Sequence, residues 1–524
     1  MSDVGVGKAT YPELRRSLAA QLPGFLIQQR WFGGKARKID STELIDVIPI
    51  RLQASEALLL FVTVKYANDA EESYAMPVLR AASAESTAES RSLVVQTAGE
   101  PVVLIDALKD EEFLSALLAL IQQKAVVHGE KGELRALQTA AYSRLYPAAT
   151  GPLAPKPVRA EQSNTSVIYG NRLIMKFFRR IQEGINPDLE IGKFLTEKTT
   201  FSSVPPLAGW FEYHTRDGRV MAQGILQQFV ANEGDAWSFT ARSLEEFYKV
   251  AAQRPGEGKS GDLELVVPEF ARASVDPYLF AAELLGQRTA EMHLALASER
   301  HDPAFVPEPF TMEFQGSLEQ SIVGLTTRVF ALLRDRASSL PEEWRVKAAK
   351  LAAREQEIAG RFHAALGMPI QAMRTRIHGD YHLGQVLRTG SDFVIIDFEG
   401  EPARAIAERR IKRSPLQDVA GMLRSFHYAA FAPLLGENKM QPAEARKMSV
   451  WAESWNAWVT ERYLRKYFET AGAAVYFPQS QKEIQIVLEL HLLEKAIYEL
   501  GYELNNRPTW VGIPLQGISK ILSE

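Results

Sequence analysis

The chain has 524 residues, 46% of them apolar and 24% charged, with a net charge of −4. That length suits about two to four domains, and the balance is that of a globular protein with material for more than one core. The acidic balance argues against a nucleic-acid partner, and the absence of cysteine excludes disulfides and thiolate metal sites. No apolar stretch of signal length opens the chain and no run reaches membrane-spanning length, so a cytoplasmic protein without membrane contact is expected.

Short runs rich in Val, Ile and Phe predict strands at Leu44–Ile50, Ala57–Tyr66 and Pro101–Ile105. Phe113, Leu114, Leu117, Leu118, Leu120 and Ile121 recur at helical spacing and predict a helix over 109–126. The small polar tract 81–90 reads as a loop tip. Residues 1–100 are thus expected to form a β-rich cap module, and Gly151–Pro157 a Pro-rich joint. Thr165–Tyr169 and Arg172–Phe178 flank Gly170-Asn171, a two-residue hairpin signal. A helix is expected from Pro187-Asp188, where Pro suits the first turn and the acid suits the dipole.

Residues 101–231 therefore complete a small lobe. Residues 232–524 read as a helical lobe, with helices over 270–298, 342–366, 411–433, 443–472 and 481–506 and a strand pair within 383–397. The expected class is α+β: a bilobal, protein-kinase-like order with an N-terminal β-rich cap and a large, mostly helical C-terminal lobe.

The most informative stretch is Ile377-His378-Gly379-Asp380-Tyr381-His382-Leu383-Gly384-Gln385, followed by Ile395-Ile396-Asp397-Phe398-Glu399-Gly400. Phosphoryl transfer needs a base for the attacking hydroxyl and oxygen ligands for Mg²⁺ on the nucleotide phosphates. In kinase-fold enzymes the catalytic-loop Asp and Asn are about five residues apart, with the metal-binding Asp further on. Asp380 fits the base, and Gln385 takes the place of the Asn. Asp397, after an apolar strand, completes an oxygen-ligand set suited to Mg²⁺, with Glu399 as an auxiliary metal or substrate contact. His378 is expected to pack beneath the loop, and Asp418 to brace it.

Upstream, Lys176 in the strand after the hairpin is the candidate phosphate contact, with Glu190 on the next helix its first-choice partner. The segment Gln162-Ser163-Asn164-Thr165-Ser166 would cover the phosphates through Ser163 and Thr165, although it lacks the Gly-rich pattern of protein kinases. By order in the chain, Gln227–Val230 is the hinge, and Gln228 is the candidate adenine contact. Lys495, Glu499 and Glu503 form one helical stripe. Its default reading is solvated ion pairs; the alternative is a sugar-binding face, with Tyr498, Tyr502, Arg507 and Trp510 beside it.

Taken together, these segments resemble bacterial maltokinase, including the form fused to trehalose synthase. The match also covers Arg30-Trp31-Phe32-Gly33-Gly34-Lys35, Ala231-Asn232-Glu233-Gly234-Asp235-Ala236-Trp237 and Asp397-Phe398-Glu399-Gly400-Glu401-Pro402. The resemblance implies a fold related to aminoglycoside phosphotransferases. It also implies ATP-dependent phosphorylation of maltose at the anomeric hydroxyl, giving maltose 1-phosphate and ADP and feeding trehalose-to-α-glucan metabolism. On that analogy Asp380 is the base, Gln385, Asp397 and Glu399 serve Mg²⁺, Lys176 binds phosphate, and His382, Glu499, Tyr502 and Arg507 meet the sugar. A trehalose synthase or a second copy is the implied protein partner. A glucosamine or aminoglycoside kinase, and an inactive nucleotide-binding protein of this fold, stay open as alternatives.

Overall fold

In the second strand of the chain, Ala57 to Val62 are buried without a break, and the two-residue period of a strand explains why. Leu58, Leu60, Val62 and Val64 point into one core, Ala57, Leu59 and Phe61 into another. The strand is therefore the middle layer of a stack. The structure, a computed structural model, describes residues 11–53, 55–81, 92–96, 101–158, 164–254, 266–435 and 440–523. It divides into two units, Met1–Ala231 with Ala403–Arg409, and Asn232–Pro402 with Arg410–Glu524.

In the first unit, β1 (Ile39–Arg51), β2 (Glu56–Tyr66), β3 (Glu71–Arg80), β4 (Leu93–Val95) and β5 (Val102–Asp106) form one antiparallel sheet in the order β1-β2-β3-β5-β4. Two helices, α1 (Tyr11–Ala19) and α2 (Leu22–Gln28), bring Leu14, Leu18, Leu22 and Leu26 into the core on one face. The other face shares its core with α3 (Glu111–Gln123) and with a second sheet. That sheet contains β6 (Val126–His128), β7 (Gly132–Gln138), β8 (Pro155–Pro157), β9 (Asn164–Tyr169), β10 (Leu173–Phe178), β12 (Leu207–Thr215) and β13 (Val220–Gln228), ordered β6-β7-β12-β13-β10-β9-β8. The short β11 (Arg180–Ile181) returns to pair with β3. Between the sheets, Phe61 stacks on Tyr213 at 3.9 Å. Beside them the fully buried Asp46 accepts from the Val47 and Lys131 N–H groups and from the Tyr213 hydroxyl at 2.8–2.9 Å. A buried carboxylate with three donors is satisfied, which is what permits it there.

Two expectations are corrected here. The cap boundary at residue 100 cuts off β5, which pairs with both β3 and β4 and so belongs to the first sheet. Nor is Gly151–Pro157 simply a joint. Pro155–Pro157 is the edge strand β8, paired with β9, and a sheet edge is where the missing proline N–H costs nothing. The hairpin between β9 and β10 has the expected turn. Gly170 and Asn171 take φ of 56° and 50°, the positive values a type I′ turn requires. The Arg30–Lys35 segment, which carried no chemistry in the sequence, packs Trp31 and Phe32 against Tyr74, with centroids 5.9 and 5.1 Å apart. Gly34 is needed there: a Cβ would overlap the Tyr66 hydroxyl. The loop tip expected over 81–90 lies outside the described residues apart from Ala81.

The second unit is mostly helical. It holds α4 (Ala236–Ala251), α5 (Glu269–Leu296), α6 (Met312–Arg336), α7 (Glu342–Ala352), α8 (Glu355–Leu366), α9 (Leu416–Leu435), α10 (Pro442–Ala471), α11 (Gln481–Asn506) and α12 (Gly512–Ile521). The helix expected over 342–366 is two helices, interrupted at Ala353-Arg354, where the Arg354 guanidinium turns onto Glu357 and the Leu522 carbonyl. Two small antiparallel pairs interrupt the helices: β14 (Glu308–Pro309) with β15 (Met373–Arg374), and β16 (Val386–Thr389) with β17 (Asp392–Ile395). The Asn232–Trp237 segment seats on β16. Glu233 N–H donates to the Arg388 carbonyl, and Arg388 N–H donates to that of Gly234. Asp235 then caps α4 by accepting from Ser238 N–H at 2.8 Å. No helix among the described residues is long and apolar enough to cross a membrane.

Candidate active site

The loop from Ile377 to Gln385 is held from below by one carboxylate. Asp418, in the first turn of α9 and 1% exposed, accepts from His378 N–H at 2.7 Å and from Gly379 N–H at 2.9 Å. It also meets His293 Nε2 at 3.1 Å, and His293 Nδ1 lies 2.9 Å from the Tyr467 hydroxyl. With Nδ1 accepting from Tyr467, the imidazole presents Nε2–H to Asp418. Asp418 is thus a brace satisfied on three sides.

His378 is equally structural. Its Nε2 lies 2.9 Å from the Ile396 carbonyl, while Nδ1 faces Asp380 N–H at 3.4 Å, fixing the Asp380 segment against the end of β17. Gly379 adopts φ of 84°, and a Cβ there would lie 3.3 Å from Gly400 Cα, so glycine permits the two loops to approach.

Asp380 projects from this platform with its side chain 22% exposed. Lys495 Nζ, from α11, donates to its Oδ1 at 3.2 Å, and His382 Nε2 stands 3.9 Å from Oδ2. Burial works to raise the carboxyl pKa. The Lys495 ammonium, aided by His382 and His378, reverses that and holds it below the ordinary aspartate value. On Lys495 burial favours the neutral form, but Asp380, Glu401 and Glu499 outweigh it and raise its pKa. His382 is lowered, mainly by burial, so its imidazole favours the neutral form; its Nδ1 accepts from Gly384 N–H at 3.0 Å.

Gln385 closes the one-turn helix Leu383–Gln385, and its carbonyl accepts from Ile396 N–H at 3.0 Å. This ties the amide-bearing loop to the strand that delivers Asp397. Asp397 has φ of 64°, a left-handed conformation that aspartate tolerates better than most side chains. Asp397 and Glu399 are half-buried and offer carboxylate oxygens, and Gln385 offers an amide oxygen; that donor set fits a hard divalent cation.

The stripe on α11 departs from its default reading as a solvated face. Its members are half-buried or buried, and each is paired with a named group. Glu499 accepts from Arg424 Nε and Nη2 at 2.9 and 2.6 Å, with side chains 12% and 4% exposed. Glu503, 1% exposed, accepts from Tyr428 at 3.2 Å and from Arg507 at 2.6 and 3.0 Å. Burial raises the Glu503 pKa against the pull of Arg507. Tyr498 is hydrogen-bonded to Glu401, and its pKa is raised by burial and then by that carboxylate. Of the expected sugar contacts, Glu499 is engaged by Arg424, while Tyr502 and the outer part of Arg507 stay open to solvent.

In the first unit, Lys176 on β10 pairs in register with Ser166 and Ile225, its side chain 13% exposed. Asp188, read from sequence only as a dipole acid, stands 3.3 Å from Lys176 Nζ. Asn186 fixes that turn by accepting from Asp188 and Leu189 N–H groups. Glu190, the expected partner, lies half-buried two residues further along the same helix, Pro187–Lys198. The lysine thus has a carboxylate that sequence reasoning passed over. Thr165 accepts from Arg179 Nε at 3.0 Å. Ser163 lies outside the described residues. The N–H groups of Gln228 and Phe229 are taken by the carbonyls of Pro206 and Arg172, so neither donor is left for a base.

Comparison with known proteins bears on the cap and on the fold. Residues 25–110 match the family described as the maltokinase N-terminal cap domain. A glucosamine kinase of Mycolicibacterium smegmatis is 24% identical over 70% of this chain and 80% of its own length. One from Streptacidiphilus jiangxiensis is 25% identical over 48% of this chain and 51% of its own. The solved structure of a glucosamine kinase in complex with glucosamine, ADP and inorganic phosphate is 18% identical. It superposes with a TM-score of 0.62 over 98% of this chain and 99% of that one. Another glucosamine kinase crystal form gives 0.64 at 17% identity. Residues 25–110 are therefore similar to the maltokinase N-terminal cap domain, the chain has the kinase-like fold of the glucosamine kinases, and these likenesses support a small-molecule sugar kinase.

Proposed function

We propose that this protein catalyses ATP-dependent phosphorylation of maltose at the anomeric hydroxyl, giving maltose 1-phosphate and ADP. The observation that carries the reading is Asp380. It sits on a loop fastened by Asp418 and His378, held as a carboxylate, with Gln385 and Asp397 following at the spacing of a phosphoryl-transfer site. Asp380 would accept a hydrogen bond from the acceptor hydroxyl and take its proton as the phosphoryl group arrives. Mg²⁺, held by Gln385 and Asp397 with Glu399 nearby, would neutralise charge on the nucleotide phosphates. Lys176, oriented by Asp188, would contact the α/β-phosphates. His382, Tyr502 and Arg507 are assigned to the sugar, with Glu499 acting through Arg424.

The cap match over 25–110 favours maltose. The second reading, glucosamine as acceptor, is favoured by the glucosamine kinases at 24–25% identity. ATP consumption with Mg²⁺ against maltose, glucose, glucosamine and an aminoglycoside, with ³¹P NMR of the product, separates them. An anomeric phosphate on maltose supports the first reading. Turnover with glucosamine alone replaces the acceptor and keeps the catalytic residues, and no turnover with any acceptor refutes both. A place in trehalose-to-α-glucan metabolism, a trehalose synthase partner and a cytoplasmic setting belong to the same proposal.

A further inference from the structure

Helices α5 and α10 carry none of the residues expected at the site, yet both send polar side chains beneath it. Thr289 and His293 on α5 stand at i and i+4, and so do Tyr463 and Tyr467 on α10; that spacing puts each pair on one helix face. The helices approach closely at Gly286, where a Cβ would overlap the Tyr463 carbonyl. All four side chains are fully buried.

Two hydrogen-bonded rows cross from α10 through α5 toward Asp380. In the first, the Tyr467 hydroxyl lies 2.9 Å from His293 Nδ1, and His293 Nε2 lies 3.1 Å from Asp418 Oδ2. Asp418 in turn accepts from the N–H groups of His378 and Gly379, the two residues before Asp380. In the second, Tyr463 donates to Thr289 Oγ1 at 3.1 Å, and the Tyr381 hydroxyl lies 3.0 Å from the same oxygen. Thr289 gives its own proton to the Leu285 carbonyl at 2.7 Å, so its oxygen accepts from both tyrosines. Tyr381 is the residue after Asp380. The rows therefore end on either side of the same carboxylate.

Each group in the rows is matched in the direction it needs. Burial holds the Tyr463 and Tyr467 hydroxyls well above the ordinary tyrosine pKa, so each keeps its proton and donates. The Asp418 carboxylate takes only donors, so His293 presents Nε2–H to it and accepts from Tyr467 at Nδ1. Packing alone does not select this arrangement: apolar side chains join two helices without taking three hydroxyls and an imidazole out of water. A fully matched buried network fixes one geometry, and the geometry fixed here is that of the loop.

We infer that His293 and Tyr467 are positioning residues for Asp380: through Asp418 they hold the backbone before it so that the carboxylate meets the acceptor hydroxyl. Tyr463 and Thr289 hold Tyr381, on its other side, in the same way. The inference rests on the reading of Asp380 as the base. Rigid support matters there because a small misplacement of a reacting group costs up to about a hundredfold in rate.

The test compares full-length Tyr467→Phe, His293→Leu and His293→Gln with Tyr278→Phe as a control. Tyr278, also on α5, shares a buried hydroxyl contact with Thr240 of α4 at 2.6 Å and packs on Trp455 of α10. Among the described residues its hydroxyl bonds neither Asp418 nor the loop. Hydrogen exchange of the 377–385 amides, read by mass spectrometry, needs no turnover and comes first. It should quicken at least about tenfold in Tyr467→Phe and His293→Leu, and stay near the wild-type rate in Tyr278→Phe and in His293→Gln, whose amide N–H replaces Nε2–H. In steady-state ATP consumption the first two variants should lose at least about tenfold in kcat, with KM for ATP within about twofold. Unchanged exchange in Tyr467→Phe and His293→Leu overturns the inference, as does an equal loss of kcat in Tyr278→Phe. Tyr467→Phe removes one oxygen and keeps the ring, so it decides the matter should His293→Leu not fold. Asp380→Asn in the same assay keeps the two readings apart. Wild-type turnover there refutes Asp380 as the base whatever the exchange shows; a large loss there with full kcat in Tyr467→Phe and His293→Leu refutes the positioning alone.

Discussion

Replacing Lys495 with Met tests the electrostatic core of the site directly. At 3.2 Å, the attraction between the ammonium and the Asp380 carboxylate is about 5 kcal/mol at an effective dielectric near 20. Desolvation cancels part of this. The side chains are 27% and 22% exposed, between the surface pairs that contribute little and the fully buried pairs whose disruption costs about 3–5 kcal/mol. A net loss of roughly 1–3 kcal/mol in Lys495→Met is therefore expected near neutral pH.

The sign with pH follows from the direction of the shift. The Asp380 pKa is depressed in the folded protein. Its contribution to stability is thus complete above the unfolded-state value and disappears as pH falls through the lower folded value. Removing Lys495 deletes the leading influence that lowers it and leaves burial opposed only by His382 and His378, so the folded pKa rises and the acid edge moves upward. The same carboxylate is the proposed base, so the acid limb of kcat/KM should move to higher pH with it. Lys495→Arg, which keeps the charge, should leave the limb near its original position. Urea unfolding against pH and the pH profile of ATP consumption are the two measurements. An unmoved acid limb in Lys495→Met would refute the view that Lys495 holds Asp380 ionised.

Asp380→Asn should reduce turnover by about 10²–10⁴-fold, the range of a general base, with nucleotide affinity by calorimetry roughly retained. Asp418→Ala strips an acceptor from His378 N–H, Gly379 N–H and His293, so a loss of about 3–5 kcal/mol is expected in denaturant unfolding. Gly379→Ala places a side chain at φ of 84° and 3.3 Å from Gly400 Cα; about 1–2 kcal/mol of strain should appear as a lower unfolding midpoint. Arg424→Met leaves Glu499 buried and unpaired and should cost about 3–5 kcal/mol. Arg424→Met/Glu499→Gln should recover much of it, and a double-mutant cycle showing simple additivity would break the assigned pair.

Local features of this fold were legible because their cause is local. Gly170-Asn171 announced its turn through the backbone angles those residues accept. Pro187 marked the start of a helix because its missing N–H is not needed there. The cap boundary was misplaced because β5 is separated in sequence from β3, the strand it completes, by residues 81–101. A pairing across such a gap leaves no periodic trace. The prolines of β8 read as a joint for a related reason: proline reports only that a backbone donor is missing, and both a linker and a sheet edge satisfy that condition.

The site divides along the same line. Asp380, Gln385 and Asp397 lie within one short stretch, so their types and spacing can be read together, and it is on them that the proposed chemistry rests. Lys495 was visible only as one point of an i, i+4, i+8 stripe. Helical periodicity says which residues share a face and nothing about what that face meets. The stripe fits a solvated surface as well as a buried row in which Lys495 meets Asp380, Glu499 meets Arg424, and Glu503 meets Tyr428 and Arg507. The difference lies in partners 75 to 115 residues away for the first three contacts. A charged helix face late in a chain is therefore best weighed against the carboxylates already assigned to chemistry. A cation on such a face is a candidate to hold one of them ionised, and Lys495 does this for Asp380.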